Sequence, residues 1–311
     1  MFKVTYNPVL IVYLLLFSSC ESEQPLTNAK KKLELGDTTS AVFYLREVLT
    51  ADSLNKFANE FLANYYFSTT SITTSEKLDS AIYYLRILHS IDVTNIDYLR
   101  KIAYAYSYSG DYLEAIKAYR KLILRDPQDA GYHYNIGLSK RKLEDPYGAI
   151  ASFSEALKIS PKYQEALYQR AEVADMILTS SASRKENQSG IADYRFIYWI
   201  KPDTWPIFVK NYSQGALSIM KDLDNLLTIN PNHIGGKYLR SQVFKKCGNY
   251  VLAIKELDDL IINKPENGSY YLERGFNKYL SGRKNEACED LSNAFELGSE
   301  VAIHYINENC K

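Results

Sequence analysis

The chain has no excess of either charge: 37 Lys and Arg balance 37 Asp and Glu in 311 residues. A neutral chain gives no electrostatic reason to bind nucleic acid, whose phosphates demand a basic surface. Histidine is scarce. The four residues His89, His133, His233 and His304 include no H-E-x-x-H pair, and the four cysteines include no C-x-x-C pair. The spacings that hold zinc are therefore missing. There is no G-x-S-x-G turn for a serine nucleophile and no G-x-x-x-x-G-K-[ST] loop for phosphates. Carboxylates are plentiful, but on repeated helices they form a solvated face. The chain is expected to be no enzyme and to carry no metal or cofactor. Beyond one short apolar stretch at the N-terminus, no run approaches the length needed to span a bilayer.

What is present is repetition. "GDYLEAIKAYRKLILRDP" begins at Gly110, and "GNYVLAIKELDDLIINKP" begins at Gly248. Pro127 and Pro161 are 34 residues apart, as are Pro231 and Pro265, while Pro161 and Pro231, with Pro202 between them, are 70 apart. A fixed period of about 34 residues is the mark of a helical solenoid. Small residues fall into two columns. The first holds Ala29, Ala63, Ala103, Gly137, Ala171, Ser241 and Gly275. The second holds Ala41, Ala81, Ala115, Ala149, Gly190, Ala253 and Ala287. Four residues after the second column come Leu45, Leu85, Tyr119, Phe153, Tyr194, Leu257 and Leu291. Small side chains let two antiparallel helices approach, and the bulky column fills the space beside that contact. Gly110, Gly248 and Gly282 mark the turns, and the prolines stop the second helix of each unit.

These columns, in register at once, make the chain resemble the tetratricopeptide repeat (TPR) family. The resemblance implies an all-α fold: a right-handed solenoid of about eight helix-turn-helix units with a C-terminal capping helix. The well-matched units run 22–55, 56–95, 96–129, 130–163, 164–204, 234–267 and 268–301, and a degenerate one lies near 203–233, where Trp205-Pro206 breaks the pattern. Units of this kind cannot bury an apolar face alone, so they stack into one core. The solenoid is expected over 28–311, with the cap at 299–311. Two polar insertions, 68–76 and 179–189, are expected as exposed loops between the helices of their units.

The resemblance also sorts the tyrosines, of which there are 27. Tyr106, Tyr112, Tyr119, Tyr194 and Tyr250 fall on packing positions. Tyr104, Tyr108, Tyr134, Tyr168, Tyr238, Phe276 and Tyr279 fall on first-helix positions that face the concave groove in TPR proteins. Exposed aromatics there supply large contact area at low entropic cost. One TPR subfamily clamps a free peptide carboxylate with converging Lys, Arg and Asn. Arg100 and Asn135 match such positions, but Tyr104, Glu165 and Gln169 fill the rest, and Glu165 repels a carboxylate. An aromatic groove is expected instead, acidic at its later end through Glu165, Glu172 and Asp175.

The first residues, "MFKVTYNP" then "VLIVYLLLF" then "SSC", have the layout of a secretion signal. "LFSSC" resembles the bacterial lipobox, with Phe17 in place of the usual leucine. By that resemblance 1–19 is a signal peptide, Cys20 is lipidated, and 20–27 is a short tether at the membrane. Two or more acyl chains give stable anchoring. The localisation implied is the bacterial cell envelope, on the outer membrane.

Three cysteines follow, Cys247, Cys288 and Cys310. In the repeat register Cys288 occupies a position held elsewhere by Val42, Ile82, Ile116, Ile150, Ile191 and Ile254. If the cap runs antiparallel to the helix before it, turning near Gly298, Cys288 and Cys310 stand at nearly the same height, within disulfide reach. A Cys288–Cys310 bridge is expected, with Cys247 left over. The function these features imply is a membrane-anchored scaffold that holds a protein or peptide partner in its groove. The rival is a glycan- or nutrient-binding receptor lipoprotein built on the same helices, because tyrosine-rich surfaces also stack on sugar rings. The insertions, read as about a dozen extra residues, are short for that role.

Overall fold

The computed structural model describes residues 24–68, 75–186, 209–210 and 212–310. Every regular element among them is a helix. The chain divides into two compact bodies, Met1–Pro127 and Gln128–Lys311. The first body contains α1 (24–34), α2 (Thr38–Ala51), α3 (Lys56–Ser68), α4 (Ser75–Ile91), α5 (Ile96–Ser109) and α6 (Tyr112–Arg125). The second contains α7 (Ala130–Lys142), α8 (Pro146–Ile159), α9 (Gln164–Glu186), α10 (Leu217–Ile229), α11 (Ile234–Lys246), α12 (Tyr250–Asn263), α13 (Gly268–Leu280), α14 (Lys284–Glu296) and α15 (Glu300–Asn309). Within each body neighbours in sequence pack as neighbours in space.

Local chemistry sets the helix ends. Asn95, Asp129 and Asn267 precede first helices, and each side chain accepts from the backbone N–H two residues on. Such a cap satisfies a donor the helix leaves orphaned, and its loss costs about 1 kcal/mol. At the turn after α5, Gly110 sits at φ 92°, a left-handed conformation that glycine adopts without penalty. The register puts Glu144 at the same turn one unit later, and it too is left-handed, at φ 58°.

The columns read from the sequence are the core. Ala41, Ala81, Ala115, Ala149, Ala253 and Ala287 are fully buried, as are Leu45, Tyr119, Phe153 and Leu257. Each such large side chain contributes about 2 kcal/mol by leaving water. Gly137 shows why its column is small: a Cβ there would lie 2.5 Å from the Phe153 ring. Gly190, Ile191 and Tyr194 lie outside the described residues.

Three expectations change. The units expected at 164–204 and 203–233 fold as one helix pair, because α10 packs directly against α9. Ile219 and Leu223 of α10 fill the places that Ala253 and Leu257 fill in the next unit. The described residues therefore form seven helix pairs plus the cap. Pro161 and Pro231 are 70 residues apart, where one unit needs about 34. The extra chain lies inside a single unit, so the insertion is much longer than a dozen residues. Second, the start of that insertion is helical: α9 continues to Glu186, and Thr179 and Ala182 on it are buried. Ala182 packs with Tyr212, and Thr179 receives a hydrogen bond from Lys246. Third, α1 begins at 24, inside the expected tether. Pro25 does not oppose this, since proline is tolerated in a first helical turn. Ser75 and Glu76 of the earlier insertion likewise open α4.

The capping helix α15 packs on α14. Cys288 of α14 and Cys310 are joined by a disulfide with their Cα atoms 5.7 Å apart, and Cys247 is free.

Candidate functional site

The nine candidate groove residues occupy first helices, but their environments differ. In the first body, Arg100 is drawn back to Asp97 on its own helix. Tyr104 is half-buried, edge-on to Tyr119 with ring centroids 6.0 Å apart. Tyr108 is 76% exposed.

In the second body, Tyr134 leans on Phe153 and Tyr163, with centroids 5.8 and 5.0 Å away. Burial pushes its phenol up, with Glu165 adding to the effect. Asn135 spends one amide hydrogen on the Gly131 carbonyl, 2.8 Å away. Tyr168 stacks at a tilt on His233, 5.5 Å away, and its hydroxyl donates to Glu172 at 3.3 Å. Burial first, then the Glu172 carboxylate, pushes this phenol up to about 12. His233 is itself pinned, because its Nδ1 accepts from the Gly236 N–H at 2.9 Å and caps α11. Tyr238 packs on Tyr270 at 5.7 Å, and its phenol is raised by burial first and Glu273 second.

Phe276 and Tyr279 depart from the expectation of an open groove. Phe276 is 8% exposed and lies edge-on to Tyr305 of α15 at 4.4 Å. Tyr279 donates to Asn309, also on α15, at 2.9 Å. The cap takes the place a further first helix would occupy, and these two rings are what it sits on. The groove's acidity is also smaller than expected. Glu172 is paired with Arg141 of α7 at 2.6 Å, and Asp175 is buried. Glu165 remains exposed.

Sequence reading missed a buried polar cluster. The Lys246 ammonium donates to both oxygens of Asp175, at 2.9 and 2.7 Å, and to Thr179 at 3.1 Å. The Tyr212 hydroxyl donates to the same carboxylate. Beside it Lys245 meets Glu273 at 2.7 Å, with both side chains under 5% exposed. Burial pushes the Lys246 ammonium below the ordinary lysine value, against the pull of Asp175. Nothing in sequence marks these lysines, because basic residues at a helix C-terminus are ordinary there. Among the described residues no group of three His, Cys, Asp or Glu could hold a metal ion.

The second body thus carries a row of tyrosines, Tyr134, Tyr168 and Tyr238, on three successive first helices. Each ring is braced at its base by a second aromatic or imidazole ring and is only partly buried. Residues 100–175 match the family model described as "Tetratricopeptide repeat". The chain has the tetratricopeptide-repeat fold. A TPR protein from Parabacteroides merdae has the same fold, with a TM-score of 0.50 at 17% identity, over 93% of this chain and 99% of that one. The MamA protein is similar at a TM-score of 0.50 and 19% identity, over 67% of this chain and 94% of its own. No curated protein matches this TPR chain by sequence.

Proposed function

We propose that this TPR protein is a membrane-anchored scaffold that holds a protein or peptide segment against its first-helix tyrosines in the bacterial envelope. TPR solenoids present extended surfaces suited to partner binding. The observation that carries the reading is the braced row Tyr134, Tyr168 and Tyr238. Rings already fixed by neighbours lose little freedom on binding, which is what an anchor residue requires. Anchoring rests on the lipobox-like "LFSSC" ending at Cys20, a residue outside those described, and two acyl chains there would hold the protein on a membrane. The outer membrane is the location we favour. No helix among the described residues is long and apolar enough to cross a bilayer.

The test has two arms. Replacing Tyr134, Tyr168 and Tyr238 together by Ala should abolish capture of native partners by the crosslinked, full-length protein while leaving helical circular dichroism intact. Cys20→Ser should move the protein from the membrane to the soluble fraction. Undiminished capture would sink the groove, and membrane retention would sink the anchor, each independently of the other. The glycan-receptor reading stays as the second. The long insertion inside the α9/α10 unit removes the objection that insertions here are short. Saturable binding to one oligosaccharide on a glycan array would favour it over the scaffold.

A further inference from the structure

We propose that a pocket between α10, α11 and α12 binds a neutral aromatic side chain of a peptide partner, at a site separate from the tyrosine row. The pocket has a volume of about 570 Å³ and lies within the second body. Its form follows from the next unit along. Shifting by one repeat maps Arg240 onto Arg274 and Lys237 onto Tyr271. Arg274 spans two second helices, reaching Asp258 at 2.7 Å and Asp290 at 2.9 and 2.7 Å. Its guanidinium carbon lies 5.5 Å from the centre of the Tyr271 ring. Tyr271 packs against core residues on both sides of that arginine. Arg240 repeats the span, reaching Asp224 at 3.0 Å and Glu256 at 2.6 Å. Where Tyr271 would stand, however, is Lys237, which turns aside to Asp259 at 3.0 Å. The place that Tyr271 fills beside its arginine, and that Leu167 fills beside Arg170, is left open here.

A second observation points to a ligand. Arg274 uses its Nε–H on Asp290, whereas Arg240 Nε and Glu256 Oε2 are buried without a partner. Glu256 is only 8% exposed and lines the pocket. A buried donor and a buried acceptor left unmet are costly. Both atoms belong to the Arg240–Glu256 pair, and a shift of that pair on binding would bring them to a peptide group adjoining the incoming ring, whose C=O suits the Nε–H and whose N–H suits the carboxylate. The charges select a neutral ring. An incoming carboxylate would meet Asp224 and Asp259, and an incoming cation would meet Lys237 and Arg240. An aromatic face over a guanidinium gains a cation–π contact that grows as water is excluded.

The test is titration of the isotope-labelled full-length protein with N-acetyl-tyrosinamide, N-acetyl-phenylalaninamide and N-acetyl-alaninamide, followed by amide chemical shifts. The two aromatic amides should give saturable shifts along α11 and α12, and the alanine amide none. Lys237→Tyr fills the slot with the chain's own ring and should weaken binding by about tenfold or more, roughly the effect of losing one good contact. Lys237→Leu, the residue type at the same position in Leu99 and Leu167, should weaken it too and guards against misfolding of the first variant. The Tyr134, Tyr168 and Tyr238 triple Ala variant should bind as the parent does. Equal binding of the alanine amide, shifts confined to the tyrosine row, or parental affinity in both Lys237 variants would overturn the proposal and leave the groove reading standing.

Discussion

Lys246 and Asp175, 71 residues apart in sequence, form an ion pair with Nζ 2.7 Å from Oδ2, both side chains nearly shut from water. The pair ties α11 to the extended part of α9, with Thr179 and Tyr212 as further partners. Removing one member of a buried pair strands the other charge and costs about 3–5 kcal/mol. Asp175→Asn should therefore lower the denaturation midpoint sharply. The double replacement Lys246→Met with Asp175→Leu should recover most of the loss, since a well-packed apolar pair can match a buried salt bridge. A single variant that unfolds at the parental midpoint would show that the pair does not hold α9 in place.

That pair also shows where sequence reading stops. Columns were legible because size repeats: Ala115, Ala149 and Ala253 recur at one register position, and each is fully buried. The cap and its disulfide were legible for the same reason, since Cys288 stands in an apolar column. The pairing of α9 with α10 was not, because Pro202 falls near a repeat boundary and disguises one interrupted unit as two. Nor were the buried lysines or the fate of Phe276, which depend on contacts that no spacing encodes. The tyrosine row was half legible. Tyr134, Tyr168 and Tyr238 lie on first helices, where the register puts them, but the braces beneath them, such as His233, were not foreseen.

Glu144 occupies a turn where Gly110 stands one unit earlier, and its φ is 58°. A side chain in this left-handed region costs about 1–2 kcal/mol, and a glycine gives part of that back as unfolded-state entropy. Glu144→Gly should stabilise the protein by roughly 0.5–1 kcal/mol. A lower melting temperature for this variant would mean that Glu144 makes a compensating interaction.

Arg274 links Asp258 and Asp290 across two successive units, and Asp290 is 2% exposed. Arg274→Ala leaves that carboxylate with Lys278 alone, 2.9 Å away. The expected loss is about 3 kcal/mol. Arg274→Lys keeps the charge but not the planar fork that meets both oxygens at once, so it should recover only part of the loss. Equal stability of the Lys variant and the parent in a denaturant titration would show that charge alone suffices.

Alkaline pH should unfold the protein through its tyrosines. Tyr98 and Tyr168 are both pushed up to about 12 from 10.0, by burial first and then by Glu60 and Glu172 respectively. Between those values the unfolded chain has lost protons that the folded chain keeps, so stability falls as pH rises. Lys246 acts the other way. Its folded value lies below 10.5, so its contribution grows with pH and is complete above that value. The net decline therefore belongs between about pH 10 and 12. Tyrosinate absorbance should rise together with loss of helical circular dichroism. Tyrosines that ionise fully while the helices persist would contradict the burial assigned to them.

The disulfide should act on the cap more than on the rest. Cys288 and Cys310 close a loop with a sequence separation of 22. A cross-link over such a loop contributes about 3 kcal/mol by restricting the unfolded chain. Without it, α15 keeps one fully buried residue, Ala302, the packing of Tyr305 and Ile306 against the cluster of Leu272, Phe276 and Leu291, and the Tyr279–Asn309 hydrogen bond. That is a small hold for a ten-residue helix at a chain end. Cys288→Ala with Cys310→Ala should lower the denaturation midpoint, and amide exchange should speed up over 300–309 while α11 and α12 stay protected. The bond needs an oxidising compartment to form, so protein taken from its native host without reductant is the proper sample. Alkylation of that protein, denatured but unreduced, should label Cys247 and spare the other two. Labelling of all three would mean the cap is held by packing alone, and the double Ala variant should then match the parent in both exchange and midpoint.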